Sequence, residues 1–124
     1  MPFKVPMSAK PATAKDPAAK RRYPRFALDS RVKARTFQNG EYKDCWGRST
    51  ELGMDGIGVT LTGDLQPGEI ASLEIPLPLS RHPLKVRSIV RFRNGQRYGF
   101  EFLAVTEGQR EMIKRVCDYL ATGR

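Results

Sequence analysis

From residue 27 to residue 103 the chain alternates apolar and polar side chains in short runs, the two-residue period of half-buried strands. In ALDSRVKARTF, residues 27–37, Leu28, Val32, Ala34 and Thr36 face away from Arg31, Lys33 and Arg35, which predicts one strand. Asn39-Gly40 marks a turn, and KDCWGRSTEL, residues 43–52, reads as a second, less regular strand. GMDG, residues 53–56, bends the chain into a third strand, IGVTL, residues 57–61. A turn at Asp64–Gly68 leads into EIASLEIPLPL, where Ala71, Leu73 and Ile75 oppose Ile70, Ser72 and Glu74. Pro76 and Pro78 should end that strand or put it at an edge, since proline cannot donate to a ladder. LKVRSIVRFR, residues 84–93, alternates almost strictly, and Asn94-Gly95 joins it to RYGFEFL, residues 97–103, as a hairpin.

The period then changes. Met112, Ile113, Val116, Cys117 and Leu120 form a stripe at helical spacing, so residues 107–121 are predicted to be an amphipathic helix packed on the rest. Thr106 with Gln109 three residues on is a capping-box pattern, and Gly123 is a stop. Short antiparallel strands with turns between them make an all-β domain, a small barrel or sandwich closed against exposed edges and capped by one helix.

Charge adds a second feature. The net charge is +9 over 124 residues, but residues 1–25 hold seven Lys and Arg against one acid, Asp16, and so carry six of the nine charges. Residues 1–19, rich in Ala, Pro and Lys and without a period, read as a disordered basic leader. Residues 20–124 read as the folded domain. An anionic partner would feel the leader first. No run approaches the roughly 20 apolar residues of a membrane span, and the opening has no signal-peptide core, so a cytoplasmic protein is the expectation. Cys45 and Cys117 have no metal-site spacing and read as structural thiols.

Enzyme readings find little support. His82 sits beside Pro83 in a turn with no nucleophile in its sequence context, and no carboxylate pair suggests acid–base work. Asp44, Glu51, Asp55, Asp64 and Glu69 read as turn or strand-end residues. GMDGIG lies between strands instead of opening a helix, so it cannot cradle a dinucleotide or a nucleotide triphosphate. Neither a metal nor a cofactor is called for, and a binding module is the better class. Trp46, in mid-strand, reads as core or barrel surface.

Two stretches carry the candidate site: Arg21-Arg22-Tyr23-Pro24-Arg25, with Lys20 before it, and Glu51-Leu52-Gly53-Met54-Asp55-Gly56. An RxxxR at the mouth of the first strand, followed by a D/N-x-S-x-x-G turn running into a strand such as GIGV, resembles the PilZ domain. LQPGEIASLEIPLP, LKVRSIVRFRNGQRYGFEF and the final helix follow in that family's order, so the resemblance covers residues 21–121.

The resemblance implies a six-stranded antiparallel β-barrel with a C-terminal α-helix and a receptor for the bacterial second messenger cyclic di-GMP. That ligand carries two phosphodiester anions and two guanines. Arginine suits both, because its planar fork bonds phosphate or the guanine edge and its face stacks on a base. Matched by position, Arg21 and Arg25 are the motif arginines, Arg22 flanks them, and Glu51, Gly53 and Gly56 form the turn's half of the site.

That half departs from the family pattern, with Glu51 for the usual Asp or Asn and Gly53 for the serine; only Gly56 matches outright. Aligning Ser49 as the motif serine would displace Gly56 and is rejected. Glu51 keeps an acceptor for guanine N–H groups, while Gly53 loses a hydroxyl and lets a ligand approach more closely. One lost neutral hydrogen bond costs about 0.5–1.5 kcal/mol, so weakened binding is expected. Three functions follow: a cyclic di-GMP receptor that relays the signal to an unidentified effector protein, a degenerate PilZ domain that binds no nucleotide and works as a protein-interaction module, or nonspecific nucleic-acid binding by the leader.

Overall fold

The computed structural model describes residues 23–122. Seven strands and one helix follow in order: β1 (Arg25–Ala27), β2 (Arg31–Gln38), β3 (Glu41–Gly53), β4 (Gly56–Leu61), β5 (Ile70–Ile75), β6 (Leu84–Asn94), β7 (Arg97–Ala104) and α1 (Glu107–Ala121). Pairing runs β3-β2-β5-β6-β7-β4, and β4 returns to β3, so six antiparallel strands close into a barrel. The three-residue β1 lies outside the ring, paired to the far end of β3.

The alternating pattern sets which side chains fill the barrel. Val32 and Ala34 of β2, Ala71, Leu73 and Ile75 of β5, and Val90 of β6 are all buried, while their neighbours face out. Tyr98 closes one end of this core: its hydroxyl donates to the Gly63 carbonyl (3.0 Å) and accepts from the Leu65 amide (3.1 Å). Buried and fully partnered, this phenol ties the loop after β4 to the barrel.

The single strand expected over residues 27–37 is in fact two. The chain breaks at Leu28–Ser30, where the buried Ser49 hydroxyl donates to the Leu28 carbonyl (2.6 Å) and accepts from the Ser30 amide (2.9 Å). The Ser49 amide donates to the Ser30 carbonyl (2.8 Å), and the Ser30 hydroxyl to the Pro76 carbonyl (2.6 Å). Side-chain bonds therefore replace ladder bonds at the kink. As expected, β5 ends at Ile75, just before Pro76. Asn39 and Gly40 both take positive φ (53° and 80°), as a type I′ hairpin requires. In the second hairpin the loop moves on by one residue: Asn94 pairs with Arg97, leaving Gly95 (φ 65°) and Gln96 as the turn.

The helix matches its predicted span. Thr106 accepts from the Gln109 amide (3.1 Å) and its own amide donates to the Gln109 side chain (3.0 Å), completing the capping box. Ile113, Val116 and Cys117 are buried, Met112 and Leu120 pack at the rim, and the helix lies against β1 and β3. Its end is capped by Thr122, whose hydroxyl donates to the Tyr119 carbonyl (2.8 Å); Gly123 lies outside the described residues. No helix among the described residues is long and apolar enough to cross a membrane.

Candidate functional site

The candidate site gathers where β1 meets the end of β3. Antiparallel pairing sets Arg25 opposite Gly53, Phe26 opposite Leu52 and Ala27 opposite Glu51. Residues distant in sequence therefore share one ladder, and α1 packs beside it. Arg25 belongs to this ladder and not to the basic leader. Arg21, Arg22 and Lys20 lie outside the described residues.

The Arg25 side chain is only 13% exposed and lies between two carboxylates. Its Nη1 is 3.6 Å from Glu51 Oε2 and its Nη2 is 3.5 Å from Asp55 Oδ1. Both are charge contacts longer than a good hydrogen bond. Asp55 is fixed from behind, because its backbone carbonyl accepts from the Phe102 amide of β7 (2.9 Å). Glu51 follows a bulge in β3 where the register against β4 shifts between Ser49 and Glu51; it pairs there with Gly58. Bulges turn side chains off the regular alternation.

Glycines make the slot that Arg25 fills. A Cβ on Gly53 would sit 2.5 Å from Arg25 Cδ and 2.7 Å from Nε, closer than side-chain atoms approach. The space expected to admit a ligand at Gly53 is thus taken by the arginine itself. A Cβ on Gly56 would meet the Phe100 carbonyl at 2.1 Å and Arg25 Nη2 at 3.3 Å, so this glycine lets β4 pass under β7. Its match to the family pattern has a packing reason.

Cys117 reaches the same neighbourhood from α1. Burial pushes its thiol up from the ordinary value and Asp118 adds to this, while the Arg25 cation works the other way. Burial likewise pushes the Cys45 thiol up. Both cysteines are free. Sequence reading named Asp55 only as a turn residue; its signal was an acid two positions beyond Gly53, but its partner across the fold was invisible. Elsewhere, the Ser80 hydroxyl donates to the His82 carbonyl (2.8 Å), not to its imidazole. Among the described residues no three His, Cys, Asp or Glu side chains cluster as metal ligands.

The sequence pattern of the PilZ domain matches residues 19–119. The chain belongs to the PilZ domain family. This PilZ domain superposes on the PilZ domain with c-di-GMP of YcgR from Escherichia coli with a TM-score of 0.65 at 18% identity, covering 84% of this chain and 93% of that one. YcgR in complex with c-di-GMP gives 0.67 at 21% identity, covering 84% and 47%. The inhibitor of motility MotI/DgrA of Bacillus subtilis gives 0.65 at 22% identity, covering 84% and 52%. The chain therefore spans about half the length of MotI (52%) and of the longer YcgR (47%). At these identities the likeness carries the barrel and its helix. No curated protein sequence matches significantly.

Proposed function

We propose that this PilZ domain is a cytoplasmic receptor for cyclic di-GMP that relays the messenger to a partner protein, with residues 20–124 as the working unit. It binds the nucleotide and does no chemistry on it. The observation that carries the reading is the ladder pairing of Arg25 with Gly53, which brings the end of RxxxR onto the turn of residues 51–56. Family membership and two YcgR neighbours described with c-di-GMP support it.

In this reading Arg25 and Arg21 grip a phosphate and a guanine edge, Arg22 adds field or stacking, and Glu51 accepts guanine N–H groups. Gly53 and Gly56 give the guanidinium its room. Because Arg25 rests between two carboxylates, a ligand phosphate must draw it away from Glu51 and Asp55, an exchange of one anionic partner for another. This cost, with the missing serine hydroxyl, makes for weaker binding.

Calorimetry with cyclic di-GMP on the full chain and on Arg25→Ala tests the reading. A clear binding heat that Arg25→Ala abolishes is expected. Equal heats would sink the assigned site, and flat titrations of both proteins would leave the domain as a protein-interaction module.

A further inference from the structure

The Glu41 end of β3 lies outside the ring that closes the barrel. Pairing with β4 begins only at Gly47, and β5 pairs with β2 only at Lys33–Arg35. The tip of the β2–β3 hairpin therefore overhangs the barrel. In its register, Gln38 opposite Glu41 flanks the two-residue turn, so the hydrogen-bonded pairs are Gln38/Glu41, Thr36/Lys43 and Ala34/Cys45. The residues between them, Tyr42, Asp44 and Trp46, turn their amides and carbonyls away from β2. The Trp46 carbonyl is taken by the Thr62 amide (3.2 Å). Tyr42 and Asp44 stand at an edge that no further strand among the described residues covers.

The side chains beside this edge are unusual for a solvent face. Tyr42 is 71%, Phe37 63% and Trp46 44% exposed. Phe37 and Tyr42 meet edge-on with centroids 5.0 Å apart. Arg31 lies over the Trp46 ring at 4.5 Å, Lys33 at 5.6 Å, and Arg35 over the Tyr42 ring at 5.8 Å. Arg31 and Lys33 of β2 thus reach the Trp46 ring on β3, while Lys33 also pairs with Glu74 of β5 (3.6 Å) and Arg35 with Asp44 (2.8 Å). An arginine over a ring can still donate its N–H groups to a carboxylate. Aromatic and arginine side chains in one patch are the composition of interface hot spots.

We propose that this overhang docks an extended, acidic segment of a partner protein, which adds as a strand along Tyr42–Asp44 and presents a carboxylate to Arg31. Two features choose the occupant. An open row of amides and carbonyls is complementary to a polypeptide backbone and not to nucleic acid, and the Trp46 ring on which a base would stack already has Arg31 over it. A second copy is disfavoured by its own charge of +9. The proposal rests on the reading of the domain as a relay and names the surface that passes the signal on. It lies at the opposite end of β3 from Gly53, roughly 30 Å away by strand rise.

Selecting a displayed library of random short peptides on the full chain, without nucleotide, tests it. Enrichment of acidic, strand-forming peptides is expected. Tyr42→Ala, Trp46→Ala and Arg31→Glu should each weaken the selected peptides about tenfold, and N-methylation at alternate peptide residues should abolish binding. Cyclic di-GMP titrations of the same variants should match the parent, so loss of the nucleotide reading and loss of this surface are told apart. No enrichment, peptides that bind the three variants equally, or a basic consensus would overturn the proposal. So would tighter binding of a single-stranded oligonucleotide at the patch, or dimerisation that Tyr42→Ala removes.

Discussion

Arg25 lies across Gly53 so closely that a Cβ on the glycine would fall 2.5 Å from the arginine Cδ. The family's serine and the present resting place of Arg25 are therefore mutually exclusive. Gly53→Ser should expel the guanidinium from its slot and cost about 1–3 kcal/mol of stability, the usual range for overpacking. The same variant restores a hydroxyl to the turn and frees Arg25 from the carboxylates, so cyclic di-GMP should bind it more tightly. Thermal unfolding and calorimetry on the one variant read both effects, and a variant that gains neither affinity nor strain contradicts the slot.

Asp55 competes with the ligand for Arg25. Removing its charge in Asp55→Asn leaves the turn's backbone bond to Phe102 intact and takes away one of two anions near the guanidinium. The contact is long and Asp55 is about a third exposed, so its worth is that of a partly screened ion pair. A gain of up to about fivefold in cyclic di-GMP affinity is expected, equivalent to ~1 kcal/mol or less. Weaker binding on calorimetry would make Asp55 a ligand contact instead of a competitor.

Ser49 holds the kink that separates β1 from β2. Ser49→Ala strands the Leu28 carbonyl and the Ser30 amide without their partner in a buried place. A loss of about 1–3 kcal/mol is expected in denaturant unfolding. Because β1 carries Arg25, ligand binding should weaken with it. A variant as stable as the parent would show that water replaces the hydroxyl at no cost.

The two thiols give stability a pH dependence of known sign. Burial raises both Cys117 and Cys45 above the ordinary value of 9.0. The folded state therefore holds these protons more tightly than the unfolded chain. Their contribution is fully present below 9.0 and is lost as pH rises through the higher folded-state values. Denaturant midpoints measured on either side of 9.0 should fall with pH, and Cys117→Ala should flatten part of that fall. Alkylation of the native protein should leave Cys117 unmodified until it unfolds.

Much of the fold was legible locally. β5, β6 and β7 follow from strict alternation, and α1 from its apolar stripe and the Thr106–Gln109 cap, because each signal lies within one element. The break at residues 28–30 was not legible, since Leu28 continues the alternation and only Ser49, some twenty residues on, interrupts the ladder. Nor could Asp44 be placed: it reads as a strand-end acid but sits within β3 opposite Arg35, to which it is hydrogen-bonded at 2.8 Å.

For the site, the chain alone named the residue types and their order: Arg25, an acid at 51, glycines at 53 and 56. It also determined the class of fold, because period and turn chemistry are local properties of the backbone. Only the tertiary structure decided that Arg25 is a strand residue filling the space above Gly53 between Glu51 and Asp55, and that the Glu41 end of β3 has, among the described residues, a strand on one edge only. Both are matters of register between strands far apart in sequence. Register is set by how the whole barrel closes, where the geometry of one strand limits the next, and no single stretch of sequence contains it.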